Sequence, residues 1–387
     1  MRPVCLGEIM PVRELSALDS RYMALALRLA QRGRGLVEPN PTVGAVLLRN
    51  DTVIGRAWHK MFGGAHAEIN ALANATAVPR NATLYVTLEP CCHTGKTGPC
   101  TQAIIAAGIK RVVVAMQDPN ALVCGKGIAE LRRAGIHVDL GVLEAQAREL
   151  NRPFIKWITT HQPYVIAKWA QTLDGCVADR NGKSQWISSA KSRELVHQLR
   201  GQVDGIMVGI GTVIADDPLL TARPATGPVY RTATRIILDS QCRLPLDSQL
   251  VRTAATTATM VFHHKSLTGA GLRRVQKLQQ HGVKCIGIRA DKSGTIDLAR
   301  VLTELGKHNF TNILLEGGPK VLGSMLQKNL LDEGLVFIAP KIAGDQNARH
   351  AVEGISLDSI SQAAGVKFAK PQTVGPDILL RWKKDAA

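Results

Sequence analysis

Apolar residues recur along the chain in two alternating patterns, helical spacing and short continuous runs. Tyr22, Met23, Ala26, Leu27, Leu29 and Ala30 share one face of a helix opening at Asp19-Ser20. Pro39-Asn40-Pro41 breaks it. Thr42 to Leu48 reads as a buried strand, and a turn at Asn50-Asp51 leads to a second through Thr52-Val53-Ile54. Helices are predicted over 66–75, 100–107 and near 127–133, with strands over 82–88, 111–116 and near 137–140. Such alternation predicts an α/β sheet covered by helices. The stretch from Asn151-Arg152-Pro153 to Gln162-Pro163 is the candidate boundary. Beyond it Tyr164-Val165-Ile166-Ala167 opens a second α/β pattern, with strands near 205–208, 235–238, 259–262 and 312–315. Residues 1–17 carry no pattern and are expected to form a loose extension.

The 387 residues suffice for two or three domains. No apolar stretch approaches the length of a spanning helix, and the start lacks the apolar core of a secretory signal. A cytoplasmic protein without membrane partners is expected. A net charge of +17 favours anionic partners. The basic residues are scattered and only 4% of the chain is aromatic, which argues for phosphorylated metabolites over single-stranded nucleic acid. Three of the eight cysteines crowd between Cys91 and Cys100, a pattern of metal chemistry rather than of disulfides.

Those cysteines carry the candidate chemistry. His66-Ala67-Glu68 is followed by Pro90-Cys91-Cys92-His93 and, after an eight-residue gap from Cys91, by Cys100. One imidazole and two thiols suit a zinc site that keeps a fourth position open. A glutamate two residues past the histidine, with a later Pro-Cys pair, matches zinc deaminases of nucleobase-like rings. In that chemistry zinc activates a water and the carboxylate moves protons from it to the departing amine. Cys92 or His93 as a fourth ligand would instead close the site; side chains adjacent on an extended segment diverge, and Cys92 is read as a bystander. In the second half, Asn312 to Leu322 reads as strand, glycine turn and helix start, where glycines let backbone approach a phosphate. Gly209-Ile210-Gly211-Thr212 repeats the idea more weakly, and neither is a complete dinucleotide fingerprint.

The order of these motifs resembles that of the bacterial bifunctional riboflavin-biosynthesis deaminase-reductases. Flanking segments agree: Pro39-Asn40-Pro41-Thr42-Val43-Gly44, Gln117-Asp118-Pro119-Asn120, Thr172-Leu173-Asp174-Gly175, Ser184-Gln185-Trp186-Ile187-Ser188, Ala215-Asp216-Asp217-Pro218 and Glu316-Gly317-Gly318. The resemblance implies a cytidine-deaminase-like three-layer α/β domain over 18–155 and a dihydrofolate-reductase-like domain over 156–387. The first would deaminate 2,5-diamino-6-ribosylamino-4(3H)-pyrimidinone 5′-phosphate; the second would use NADPH to reduce the ribosyl group to ribityl. By the same resemblance His66, Cys91 and Cys100 hold zinc, Glu68 is the proton shuttle, and Asn40 and His59 face the pyrimidine. Ala170, Trp186, Thr212, Asp216 and Gly318 would line the NADPH site. Ser184, Arg200, Leu220, Arg223 and Glu316 would line the reductase substrate site, with Lys168 nearby. A homo-oligomer, dimer or tetramer, is expected.

The chain departs from the family at Cys92, where serine is common, Lys96 for arginine, Gly98 for proline and Ala121 for proline. Lys96 keeps a charge but loses the planar fork that grips a phosphate bidentately. Two other readings compete. One is a tRNA-type deaminase with a basic C-terminal binding domain, against which the wide Cys91–Cys100 gap counts, since nucleic-acid deaminases use Pro-Cys-x-x-Cys. The other is a zinc-stabilised interaction module without catalysis.

Overall fold

The computed structural model describes residues 16–93, 98–292 and 294–384. Residues 1–15 of the expected extension, and Lys96 in the cysteine loop, lie outside the described residues. The chain divides into two compact units, Met1–His161 and Gln162–Ala387.

The first unit runs α1 (Ala17–Ala30), β1 (Gly44–Arg49), β2 (Thr52–Trp58), α2 (Ala67–Ala73), β3 (Thr83–Val86), α3 (Cys100–Ala106), β4 (Arg111–Val114), α4 (Lys126–Arg133), β5 (His137–Leu140), α5 (Glu144–Leu150) and α6 (Arg152–Thr160). Among the described residues its sheet has five strands in the order β2-β1-β3-β4-β5. β1 is antiparallel to both neighbours, while β3, β4 and β5 are parallel. Side chains of a strand point alternately to opposite faces. Ala45, Leu47, Leu84, Val86, Val112 and Val114 accordingly pack with Ala71, Ile104 and Leu131 of α2, α3 and α4. Val46, Leu48, Tyr85 and Val113 pack on the other face with Met23 and Ala26 of α1 and Ala147 and Leu150 of α5. Helices on both faces of one sheet make the three layers.

α1 begins earlier than the Asp19 expected from sequence, because Ser16 caps it, its oxygen accepting the Asp19 N–H at 3.1 Å. The stretch from residue 151, which reads as a linker, is instead mostly α6. Pro153 lies in the first turn of that helix, where its missing N–H costs nothing. Asn151, between α5 and α6, accepts the Thr42 N–H at 2.9 Å and donates to the Thr42 carbonyl at 3.1 Å.

The second unit opens with β6 (Tyr164–Gln171), β7 (Cys176–Ala178), α7 (Ala190–Arg200), β8 (Gly205–Gly209), α8 (Ile210–Asp216), β9 (Thr234–Leu238), α9 (Gln249–Arg252), β10 (Thr259–His264) and α10 (Ala270–Gln280). It continues with β11 (Lys284–Ile288), α11 (Leu298–Lys307), β12 (Asn312–Glu316), α12 (Pro319–Gln327), β13 (Glu333–Ile338), β14 (Arg349–His350), β15 (Lys367–Phe368), β16 (Gln372–Val374) and β17 (Asp377–Lys383). One large sheet carries the order β11-β10-β9-β8-β12-β6-β13-β17-β15 among the described residues, parallel from β11 to β13 and antiparallel beyond. Val165, Met207, Ile236, Phe262, Ile313 and Leu315 pack on one face with Val301 and Leu305 of α11. Ile206, Val208, Ile237, Val261 and Leu314 pack on the other with Val213 of α8 and Leu278 of α10. Gly209-Ile210-Gly211-Thr212 is not an open turn: Gly209 ends β8 and caps α8 directly. No helix among the described residues is long and apolar enough to cross a membrane.

Candidate active sites

The first site forms where α2 and α3 begin. His66 is the residue that precedes α2, Cys100 is the first residue of α3, and Cys91 lies in the loop after β3. His66 Nδ1 is 3.2 Å from Cys100 Sγ and 3.5 Å from Cys91 Sγ, and the three donor atoms all lie within 4.8 Å of one another. Tetrahedral zinc bonded at about 2.3 Å to sulfur and about 2.0 Å to nitrogen requires ligand separations of roughly 3.5–3.8 Å. The donor set fits that ion. Cys92 and His93 fall outside the group among the described residues, which leaves three protein donors. The Cys100 thiol, hydrogen bonded to Cys91, and the nearby His66 pull the Cys91 thiol down to about 4 against the effect of burial. The same pairing, together with burial, pushes Cys100 up. The pairing favours thiolate at Cys91 and thiol at Cys100, and a metal ion would require both sulfurs deprotonated.

Glu68 sits in the first turn of α2 and is 3% exposed. Burial raises its carboxyl pKa, partly opposed by His66. His59 follows β2, is 2% exposed, and meets the His66 ring edge to face, centroids 5.4 Å apart. Its Nδ1 lies 3.0 Å from the Ala65 carbonyl, which can only accept, so Nδ1 carries the proton. Nε2 is then the acceptor for the Asn40 amide at 3.2 Å. Burial lowers the His59 pKa and keeps the ring neutral. His66, Cys91, Cys100, Glu68, His59 and Asn40 are therefore linked in one neighbourhood, held by the first turns of α2 and α3 and the end of β2.

The second site lies at the carboxyl ends of β6 and β12, which pair in parallel so that Glu316 stands beside Lys168. Lys168 Nζ is 4.0 Å from Glu316 Oε2. Arg200, the last residue of α7, donates through Nε and Nη2 to the two Glu316 oxygens at 2.6 and 2.7 Å. Burial pushes the Glu316 carboxyl upward, but Arg200 and then Lys168 outweigh it, and the net shift is below the usual carboxylate range. Burial lowers the Lys168 pKa, with Glu316 opposing and Arg200 assisting. Arg200 also donates to the Thr221 carbonyl at 3.3 Å, and Arg223 Nη1 to Thr221 Oγ1 at 2.5 Å.

After Glu316 the chain turns through Gly317 and Gly318, with φ of 89° and 83°, into α12. Side-chain-bearing residues rarely adopt that backbone, and the two glycines leave a bare cradle before a helix N-terminus. Thr212 flanks it, its Oγ1 3.4 Å from where a Gly317 Cβ would lie. Leu220, with φ of 50°, is packed into the core. Ala170 is half-buried on β6 and Asp216 is exposed at the end of α8. Ser184 and Trp186 lie in the segment before α7; Trp186 is 62% exposed, with the Arg193 guanidinium 4.4 Å above its ring. Among the described residues no hydrogen bond ties Ala170, Ser184, Trp186 or Asp216 to the Glu316 cluster.

Two members of this cluster, His197 and Thr221, stand out in the sequence only as a polar group upstream and as part of a flanking segment, with no site role assigned to either. His197 lies one turn before Arg200 on α7, and its Nδ1 accepts the Arg223 N–H at 3.2 Å. Burial, then Arg200 and Arg223, lower its pKa. Thr221 binds both arginines. The i, i+3 spacing of His197 and Arg200 was the available signal; that of Thr221 was only its place beside Arg223.

A family model described as the RibD C-terminal domain matches residues 163–380, and one described as the cytidine and deoxycytidylate deaminase zinc-binding region matches residues 16–116. The riboflavin biosynthesis protein RibD of Aquifex aeolicus (strain VF5) is 41% identical over 367 residues, spanning 95% of this chain and 99% of that one. A solved structure of Acinetobacter baumannii RibD aligns with a TM-score of 0.84 at 35% identity, covering 95% of this chain and 98% of that one. The Thermotoga maritima diaminohydroxyphosphoribosylaminopyrimidine deaminase/5-amino-6-(5-phosphoribosylamino)uracil reductase aligns at 0.82 with 34% identity, with the same coverage. The reading as a nucleic-acid deaminase is not favoured, because the second half matches a reductase-type domain rather than a nucleic-acid-binding one. Over nearly its whole length the chain belongs to the RibD family of bifunctional riboflavin-biosynthesis enzymes, with a zinc-dependent cytidine-deaminase-like domain first and an NADPH-dependent reductase domain second.

Proposed function

We propose that the chain deaminates 2,5-diamino-6-ribosylamino-4(3H)-pyrimidinone 5′-phosphate in the first unit and reduces the ribosyl group of the product in the second. The observation that carries the reading is a His66, Cys91 and Cys100 group beside a buried Glu68. Those three residues would hold zinc, which supplies the Lewis acidity that makes water nucleophilic near neutral pH. Glu68, whose carboxyl is held protonatable by burial, accepts the proton of the attacking water and hands it to the departing amino group. Neutral His59 and Asn40, fixed to each other, orient the ring.

In the second unit the Gly317-Gly318 cradle, Thr212, Asp216, Ala170 and Trp186 would hold NADPH, which supplies hydride. Arg200 keeps Glu316 ionised, and Glu316 in turn orients Lys168, whose lowered pKa suits it to give a proton to the nitrogen of the ring-opened sugar. Arg223, Ser184 and Leu220 line the substrate side, the arginine meeting the phosphate. The two activities are assigned to the two units, the boundary expected at 155/156 moving to 161/162 because α6 runs unbroken across it. Small phosphorylated molecules, not nucleic acid or membranes, are the partners of this reading. A cytoplasmic homo-oligomer completes it. Chromatography of reactions with and without NADPH tests the order of steps. Without NADPH the deaminated intermediate should accumulate with one equivalent of ammonia, and with it the ribityl product should appear. Reduction without any ammonia release would overturn the assignment of the first unit.

A further inference from the structure

Eight residues separate Cys91 from Cys100 in the sequence, and both ends of that segment are also tied to a third element, α4. Glu89 is two residues before Cys91, and Pro90 between them favours an extended Glu89 backbone. Its side chain is 3% exposed. Its carboxylate is satisfied by three backbone N–H groups: Oε2 accepts from Asp118 at 3.2 Å and Gly125 at 2.9 Å, and Oε1 from Ile128 at 3.2 Å. Gly125 and Ile128 belong to the cap and first turn of α4, whose N–H groups have no partners within the helix. Gly125 holds a left-handed φ of 75°, and at Gly127 any Cβ would collide with the Pro90 carbonyl. The start of α4 is thus pressed against the residue before Cys91.

The same helix reaches the other sulfur. Glu130 accepts the Thr101 hydroxyl at 3.0 Å and is also hydrogen bonded by Gln102, both on α3, which Cys100 begins. Thr101 N–H donates to the Cys91 carbonyl at 3.2 Å, and the Cys100 N–H to Cys91 Sγ at 3.4 Å. We infer that Glu89 and Glu130 are positioning residues for the metal centre, using α4 as a bracket that sets the distance between the two thiolates. The inference rests on the reading of His66, Cys91 and Cys100 as zinc ligands.

Groups that orient metal ligands typically change affinity by about 10–100-fold when removed. Glu89→Gln keeps the volume but puts an amide N–H₂ against backbone donors, so at least one of the three bonds is lost. Zinc affinity of the full-length protein, measured by chelator competition, should weaken by about 10–100-fold. The visible absorption of the cobalt-substituted protein should shift, while reduction of the deaminated substrate with NADPH stays at the parent rate. Thr101→Val removes one of the two α3 bonds to Glu130, together with the 3.4 Å contact of the Thr101 hydroxyl with the Cys91 carbonyl, and should weaken zinc binding several-fold in the same direction. If Glu89→Gln fails to fold, Thr101→Val decides alone. Parent-like zinc affinity and cobalt spectrum, even with a lower melting temperature, would reduce α4 to a structural brace and overturn the inference. A parent protein that binds no zinc would refute the ligand assignment itself, and the bracket with it.

Discussion

Removing the Arg200 guanidinium should unbalance the second site more than any surface substitution. Two of its N–H groups grip Glu316 at 2.6 and 2.7 Å, and Glu316 is 8% exposed. In Arg200→Met the side chain still fills much of its space, but the carboxylate stays in a dry site with Lys168, 4.0 Å away, as its remaining cation. Breaking a buried pair from one side costs about 3–5 kcal/mol. Lys168 retains part of the compensation, so a loss near the lower bound, about 3 kcal/mol, is expected. The pH dependence has a definite sign. Arg200 and Lys168 hold the native Glu316 carboxyl below its unfolded value, so its contribution is complete above about pH 4.3 and is lost as the pH falls through the folded pKa. The Arg200→Met deficit should therefore be largest at neutral pH and shrink in acid. Adding Glu316→Gln removes the stranded charge and should restore at least half of the loss. Urea unfolding followed through NADPH binding reads the second unit alone, which matters in a chain of two units. An unchanged midpoint in Arg200→Met at pH 7, or a double variant no more stable than the single one, would falsify the buried-pair account.

Glu68→Gln should keep zinc at parent stoichiometry while slowing deamination by roughly 10²-fold, checked by metal analysis beside turnover; normal turnover would remove Glu68 from the mechanism. Arg223→Ala should weaken reductase substrate binding by about 1.5–3 kcal/mol and leave deamination unchanged, with Arg223→Lys only partly restoring it. Equal loss of both activities in a folded variant would show that the two sites are coupled. A fragment beginning at Gln162 should fold and bind NADPH in titration, since the second unit has its own core; a soluble, folded fragment that binds none would count against the cofactor site.

The His66, Cys91 and Cys100 group was legible as a candidate metal site because ligation restricts residue type and order: a histidine, a glutamate two positions on and two spaced thiols have few other uses together. The strands of the first unit were legible for a similar reason, since 44–48, 83–86 and 111–114 are short apolar runs bounded by turns. α6 was not, because Asn151 and Pro153 read as breakers until their environment is known. The proline sits where a helix makes no use of its N–H, and the asparagine is occupied with Thr42, 109 residues away. β13 and β17 were hidden for another reason. Gly334 weakens the apolar pattern of β13, yet the Trp382 indole of β17 lies over it and leaves no room for a Cβ. The polar cluster of the second site is the deeper case: the family resemblance brings Lys168, Arg200, Arg223 and Glu316 together, but the residue pattern alone gives no sign of their pairing. Arg200 and Glu316 are 116 residues apart, and each alone looks like a solvated charge. Only the parallel register of β6 and β12, with α7 ending above them, makes one carboxylate the shared partner of a lysine and an arginine. Chemistry that depends on residue identity can be read along a chain, whereas chemistry that depends on a buried charge finding its partner waits for the fold, because burial is what gives that pairing its energy.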